Sequence, residues 1–116
     1  VFFVDDLDAI DLPALAPRIM ADPLFVESVN VGVAQMLSST EMRLSVYERP
    51  GVLTTACGSG ACAAVQAARL TGRTPLDDMT VHMPAGSVGI HISSDDVAEM
   101  TGPAGHCLDG TYEFPA

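Results

Sequence analysis

A chain of 116 residues, 48% of them hydrophobic, has the size of one domain and enough apolar side chains for a core. Its formal net charge of −10, carried with five arginines and no lysine, cannot neutralise a row of phosphates, which argues against nucleic acid and acidic membrane surfaces as partners. The missing lysine also excludes an internal Schiff base to pyridoxal phosphate, so amino-acid chemistry here would run without that cofactor.

In chain order, Val1 to Val4 is a short apolar run that reads as a buried strand ended by Asp5-Asp6. The chain opens inside that run, without Met, so an upstream portion is expected. Asp11 is a good N-cap, Pro13 suits a first turn, and Leu12, Leu15, Ile19 and Met20 give a helical face up to Ala21. Asp22-Pro23 breaks that helix. Asp5, Asp6, Asp8 and Asp11 are explained by a solvated helix entrance rather than a metal site.

Val29 to Leu37 reads as a strand with Val29, Val31 and Val33 on one face and Asn30 on the other, where it is an exposed strand amide on pattern alone. Ser38-Ser39-Thr40 is a turn. Met42, Leu44 and Val46 then alternate with Arg43, Ser45 and Tyr47 in a half-buried strand that ends on Glu48 and Arg49. The plain reading of this pair is a surface ion pair worth little.

The stretch from Thr54 to Leu70 carries the strongest chemical signal. A strand-like run leads to Cys57, then Gly58-Ser59-Gly60, then an Ala-rich segment of high helix propensity stopped by Gly72. Cys57 is thereby placed at a helix N-terminus, where unpaired N–H groups and the helix dipole stabilise an anion. A carboxylate could sit on the amides of Gly58, Ser59 and Gly60. The plain alternative is a packed, inert cysteine. The helix from Gly58 to about Thr71 is small and apolar nearly all round and is expected to be enclosed, with Cys62 inside the enclosure.

Thr74 to Asp78 is a loop. Met79–Met83 and Val88–Ile92 form a hairpin through Pro84-Ala85-Gly86-Ser87, with His82 and His91 facing outward. Val97 to Thr101 is a further strand turned by Gly102-Pro103, and Gly110 to Phe114 is expected to be the last. Three cysteines make no disulfide framework, and Cys107 reads as inert. No apolar run is long enough to span a bilayer and no signal-peptide pattern is present, which fits a cytoplasmic setting. Cys57 and Cys62 lie five apart and His82, His91 and His106 lack ligand spacing, so no metal site is expected.

Glu48-Arg49, Ala56-Cys57-Gly58-Ser59-Gly60-Ala61-Cys62-Ala63-Ala64 and Met100-Thr101-Gly102-Pro103-Ala104 together resemble the C-terminal half of diaminopimelate epimerase, over nearly the whole chain. The resemblance implies an α+β fold, one β-barrel-like half in which short strands wrap a central Ala-rich helix. Residues 1–116 would form the catalytic half domain, with the upstream half absent. It implies cofactor-independent epimerisation of LL-2,6-diaminopimelate to the meso form, a step in making lysine and peptidoglycan precursors. Cys57 would be one of two catalytic thiols, and the Gly58 and Ser59 amides would hold the reacting carboxylate. Asn30, Glu48 and Arg49 would bind the substrate, Arg49 gripping a carboxylate and Glu48 an ammonium. The opposing thiol belongs to the missing N-terminal half, or to a second copy in a homodimer. Cys62 shares a helix with Cys57 and cannot reach the other face of a substrate.

One departure from the family falls at Pro50-Gly51, where a glycine usually follows the Glu-Arg pair directly. Pro50 restricts Arg49 toward extended backbone and so affects its aim. A proline-racemase-like enzyme is the nearest alternative, because it too carries a Cys-Gly-(Thr/Ser)-Gly element. A non-catalytic amino-acid-binding domain is another. A Cys-x5-Arg phosphatase is excluded, since position 63 is Ala and Arg69 comes too late.

Overall fold

The computed structural model describes all 116 residues. Strand β1 (Phe2–Phe3) leads through a 3-10 turn (Leu7–Ala9) to helix α1 (Leu12–Met20). Strands β2 (Val31–Met36), β3 (Glu41–Glu48) and β4 (Val52–Thr54) follow, then helix α2 (Gly58–Leu70) and strands β5 (Asp78–Met83), β6 (Gly86–Ile92) and β7 (Ala98–Thr101).

Helix α1 begins where its chemistry says it should. The Asp11 carboxylate accepts from the Ala14 N–H at 3.1 Å, and Pro13 occupies the first turn, where its missing N–H costs nothing. Helix α2 stops as cleanly. Gly72 takes φ +70°, its N–H bonds the Arg69 carbonyl, and the Arg73 N–H reaches back to the Ala68 carbonyl, the paired bonds of a Schellman stop.

The seven strands form one mixed sheet in the order β1-β2-β3-β5-β6-β7, with β4 attached to β3. The fold is therefore α+β, and the sheet is open rather than closed into a barrel. Strand β3 is forked. Its first residues, Glu41 to Arg43, pair in parallel with Thr80 to His82 of β5, whereas Val46 to Glu48 pair antiparallel with Val52 to Thr54 of β4. The two partners thus share one edge of β3 and diverge around Leu44 and Ser45.

Strand alternation divides the core. Val31 and Val33 pack with Leu12 and Ala16 of α1 on one face. On the other, Ala34, Met42, Leu44, Val46, Val81, Ile90 and Ile92 pack against Ala61, Ala64, Val65 and Ala68 of α2. Each large apolar side chain buried there contributes on the order of 1.5–3 kcal/mol of transfer free energy. Alanines on α2 let the helix lie close to the sheet. Thr74, itself buried, ties the end of α2 to the β2–β3 turn by donating to the Ser39 carbonyl at 2.7 Å.

Beyond the open sheet and a β2 that begins at Val31, leaving Val29 and Asn30 outside the strand, three expectations change. Only Phe2 and Phe3 of the first apolar run pair, along the outer edge of β2, and Phe2 stays exposed because nothing lies beyond that edge. Helix α2 is covered on one side only: Ala63 and Leu70 are exposed and Cys62 is half-buried, since no layer packs on its outer face. Residues 102–116 contain no helix or strand and are exposed throughout, so Gly110 to Phe114 is not a strand; no neighbouring strand is there to pair with it.

Candidate active site

Cys57 is the N-cap of α2. Its backbone is extended, and its sulfur accepts from the Gly60 N–H at 3.3 Å and lies 3.6 Å from the Ser59 hydroxyl oxygen. The thiol is buried beside Leu44, Val46 and Met83. Gly58 and Ser59 are the first two residues of the helix, so their N–H groups have no intrahelical acceptor. Gly60 is not equivalent: its amide is already engaged by the sulfur.

The position of Cys57 is fixed from outside its own segment. Its N–H points at the Met83 sulfur, 3.4 Å away, and the Thr55 carbonyl accepts from Ala85 in the β5–β6 turn at 2.9 Å. The loop before α2 is thereby pinned to the hairpin, in the space opened by the fork in β3.

Both glycines of the motif stand in crowded positions. A methyl group on Gly60 would lie 3.0 Å from Val46 Cγ2 and 3.1 Å from the Cys57 sulfur. A methyl group on Gly58 would lie 3.0 Å from both Sδ and Cε of Met100. Two motifs separated by forty residues of sequence therefore meet at the start of α2. Sequence reasoning missed Met83 and Met100 as parts of this site. Met100 lay in a segment that carried the resemblance, and Met83 ends a strand, but which strands meet the start of α2 is decided by tertiary pairing.

The other expected site residues, Asn30, Glu48 and Arg49, gather around the far end of β3. Glu48 has the parity of Leu44 and Val46 and so belongs to the face of the sheet that α2 covers. It makes no ion pair with Arg49. The Arg49 guanidinium instead donates through Nη1 to the Glu27 carbonyl at 2.8 Å, and the Arg49 N–H donates to Asn30 Oδ1 at 2.9 Å. Asn30 and Arg49 are brought into direct contact, and that bond fixes the amide so that Nδ2 remains as donor. Tyr47 donates to the Gly51 carbonyl at 3.1 Å and holds the turn that follows. No hydrogen bond or ion pair links this trio to Cys57; the strand run between them separates the two groups.

The histidines sit apart, each in a surface pair. His82 touches the Ser87 hydroxyl at 2.7 Å and Glu41 at 3.2 Å, His91 touches Asp78 at 2.9 Å, and His106 touches Asp109 at 3.2 Å. No group of three or more His, Cys, Asp or Glu side chains is arranged to hold a metal ion, and no helix is long and apolar enough to cross a membrane. A groove of about 410 Å3 runs past Asp8, Arg43 and His82. Its charged groups are already paired, Asp8 with Arg43 at 2.7 Å, so the chemistry is better sought at the thiol.

Comparison with known proteins places this arrangement. The family model for diaminopimelate epimerase matches residues 1–107. The diaminopimelate epimerase of Erythrobacter litoralis is 44% identical over 114 residues, covering 98% of this chain and 42% of that protein. That of Oceanobacillus iheyensis is 41% identical over 115 residues, with 98% and 40% covered. The chain thus spans about two fifths of the length of these relatives. Among solved structures, a phenazine biosynthesis protein of the PhzF family from Bacillus anthracis aligns with a TM-score of 0.59 at 17% identity, covering 84% of this chain and 32% of that one, a likeness of fold. With its family model matched along nearly the whole chain, this protein belongs to the diaminopimelate epimerase family.

Proposed function

We propose that this chain supplies one of two thiols for the cofactor-independent epimerisation of LL-2,6-diaminopimelate, an isomerase step of lysine biosynthesis. The observation that carries the reading is Cys57 itself: a buried sulfur at a helix N-terminus, beside two backbone N–H groups without intrahelical acceptors.

Inverting an α-carbon takes a base on one face and an acid on the other. As base, the Cys57 thiolate removes the α-proton, and the electron pair left on carbon delocalises into the substrate carboxylate. The Gly58 and Ser59 N–H groups receive that charge, and because Ser59 is exposed in this chain the step needs the opposing half to cover the site and exclude water. Glu48 holds the distal ammonium, while Arg49 and the free Nδ2 of Asn30 hold the distal carboxylate. As acid, the Cys57 thiol returns a proton to the same face in the reverse direction.

The opposing thiol lies outside this chain's own site. Neither half-buried Cys62, on the same helix, nor exposed Cys107 replaces it. The open sheet and bare outer face of α2 fit the C-terminal half of a two-half enzyme, whose barrel-like wrap is completed by further chain or by a second copy.

The test is proton NMR of LL- and meso-diaminopimelate in D2O with this chain and with its Cys57→Ser variant. Loss of the α-proton signal with the parent chain alone supports the reading. Equal loss with both chains would sink it. Interconversion of isomers, together with a dimer in sedimentation, would assign the second thiol to a second copy.

A further inference from the structure

We infer that Met100 is a positioning residue for the carboxylate cradle at the start of α2, a role that rests on the function proposed above. Met100 stands on β7 opposite Ile90 and so shares the face of the sheet that α2 covers. Its Sδ and Cε occupy the space that a side chain at position 58 would fill. On the preceding residue, the Met83 sulfur faces the Cys57 N–H. Two thioethers from different strands thus brace consecutive residues, Cys57 and Gly58, at the point where the chain turns into the helix.

The chemistry suits the task. A thioether is a weak acceptor and carries no donor, so it packs against Gly58 without competing for the N–H groups that a carboxylate needs. Met100 is about half exposed, 53%, and stands on an edge strand, so it forms a wall of the site rather than part of the deep core. A polar side chain here would bond the cradle itself, and a shorter one would leave Gly58 unsupported and admit water beside the sulfur. Met100 therefore keeps the cradle empty and aimed without touching the reacting atoms.

Alkylation of Cys57 by iodoacetate and by iodoacetamide, read at that residue by peptide mass mapping, tests this without requiring turnover. The two reagents differ by a carboxylate, so the ratio of their rates, corrected for their intrinsic reactivities, reports the cradle. Met100→Ala is expected to lower that ratio about five-fold and to raise the iodoacetamide rate, whereas Met100→Leu stays within about two-fold of the parent. Gly58→Ala is expected to lose the iodoacetate preference, and adding Met100→Ala to it to restore most of it by making room for the new methyl. Circular dichroism confirms that each variant is folded. A preference that is present in the parent and unchanged in Met100→Ala would overturn the role of Met100 alone. A double variant no better than Gly58→Ala would do the same. A parent chain without any iodoacetate preference would instead remove the cradle on which the proposed function depends.

Discussion

The two helices of this protein start with the same capping bond, to the N–H three residues on, and use opposite materials. Asp11 caps α1 with a carboxylate oxygen, exposed to solvent and strong as an acceptor. Cys57 caps α2 with a buried sulfur, a poor acceptor at 3.3 Å, where serine, threonine, aspartate or asparagine would be the ordinary choice. Helix α1 is closed for stability. Helix α2 is left weakly closed, with a buried thiol at its end, and its stability is drawn from alanines packed on the sheet.

Four measurements would break or sharpen that contrast. The largest effect is expected from Gly60→Ala, because the added methyl meets Val46 and the Cys57 sulfur in the core. Overpacking of this kind costs about 1–3 kcal/mol, and urea unfolding should place this variant toward the upper end. Asp11→Ala should cost about 1 kcal/mol by the same assay, the worth of a good N-cap. Cys57→Ser should move stability by less than about 0.5 kcal/mol, since serine caps at least as well as cysteine. A loss as large as that of Asp11→Ala would mean that the buried sulfur stabilises the fold by packing, since serine preserves the cap.

The smallest effect concerns pH. Asp8, just before α1, has its carboxyl held below the ordinary carboxylate value by hydrogen bonding to Arg43 and by that residue's charge. A depressed folded-state value means that the pair stabilises the fold above the ordinary carboxylate range and is lost as pH falls through the lowered value. Because both groups are solvent-exposed, the contribution is slight. Carboxyl NMR titration of Arg43→Met should show Asp8 returning upward. An unmoved Asp8 would mean that the ion pair is not populated in solution.

What was legible in the sequence was local. The Asp11 cap, the Gly72 stop, the β5–β6 hairpin and the alternation along β3 depend on neighbours within a few residues, and each formed as expected. Cys57 was legible for the same reason, because a cysteine followed by Gly-Ser-Gly and a run of alanines sets its own position at a helix start. The contacts that hold it were not. Met83 reaches it, and Met100 reaches its neighbour Gly58, only through the order of strands in the sheet, and Asn30 reaches Arg49 only through the β2–β3 register. The Gly110 to Phe114 expectation failed for a related reason: strand propensity without a partner strand produces no strand.

The fork in β3 carries a consequence for how the molecule assembles in time. Thr40 and Thr80 are joined across forty residues, and α2 with its thiol lies in the loop that this pairing closes. Long loops close slowly, so the parallel β3–β5 junction belongs among the later events of folding. The Ala85 to Thr55 bond that pins the loop before Cys57 cannot precede the hairpin that bears Ala85. Pulsed hydrogen exchange should therefore find the Ala85 amide protected no earlier than the amides of β5. The sulfur receives its surroundings last, and a chain delayed in β5 or β6 would carry residues 54–70 unaltered and still lack the site.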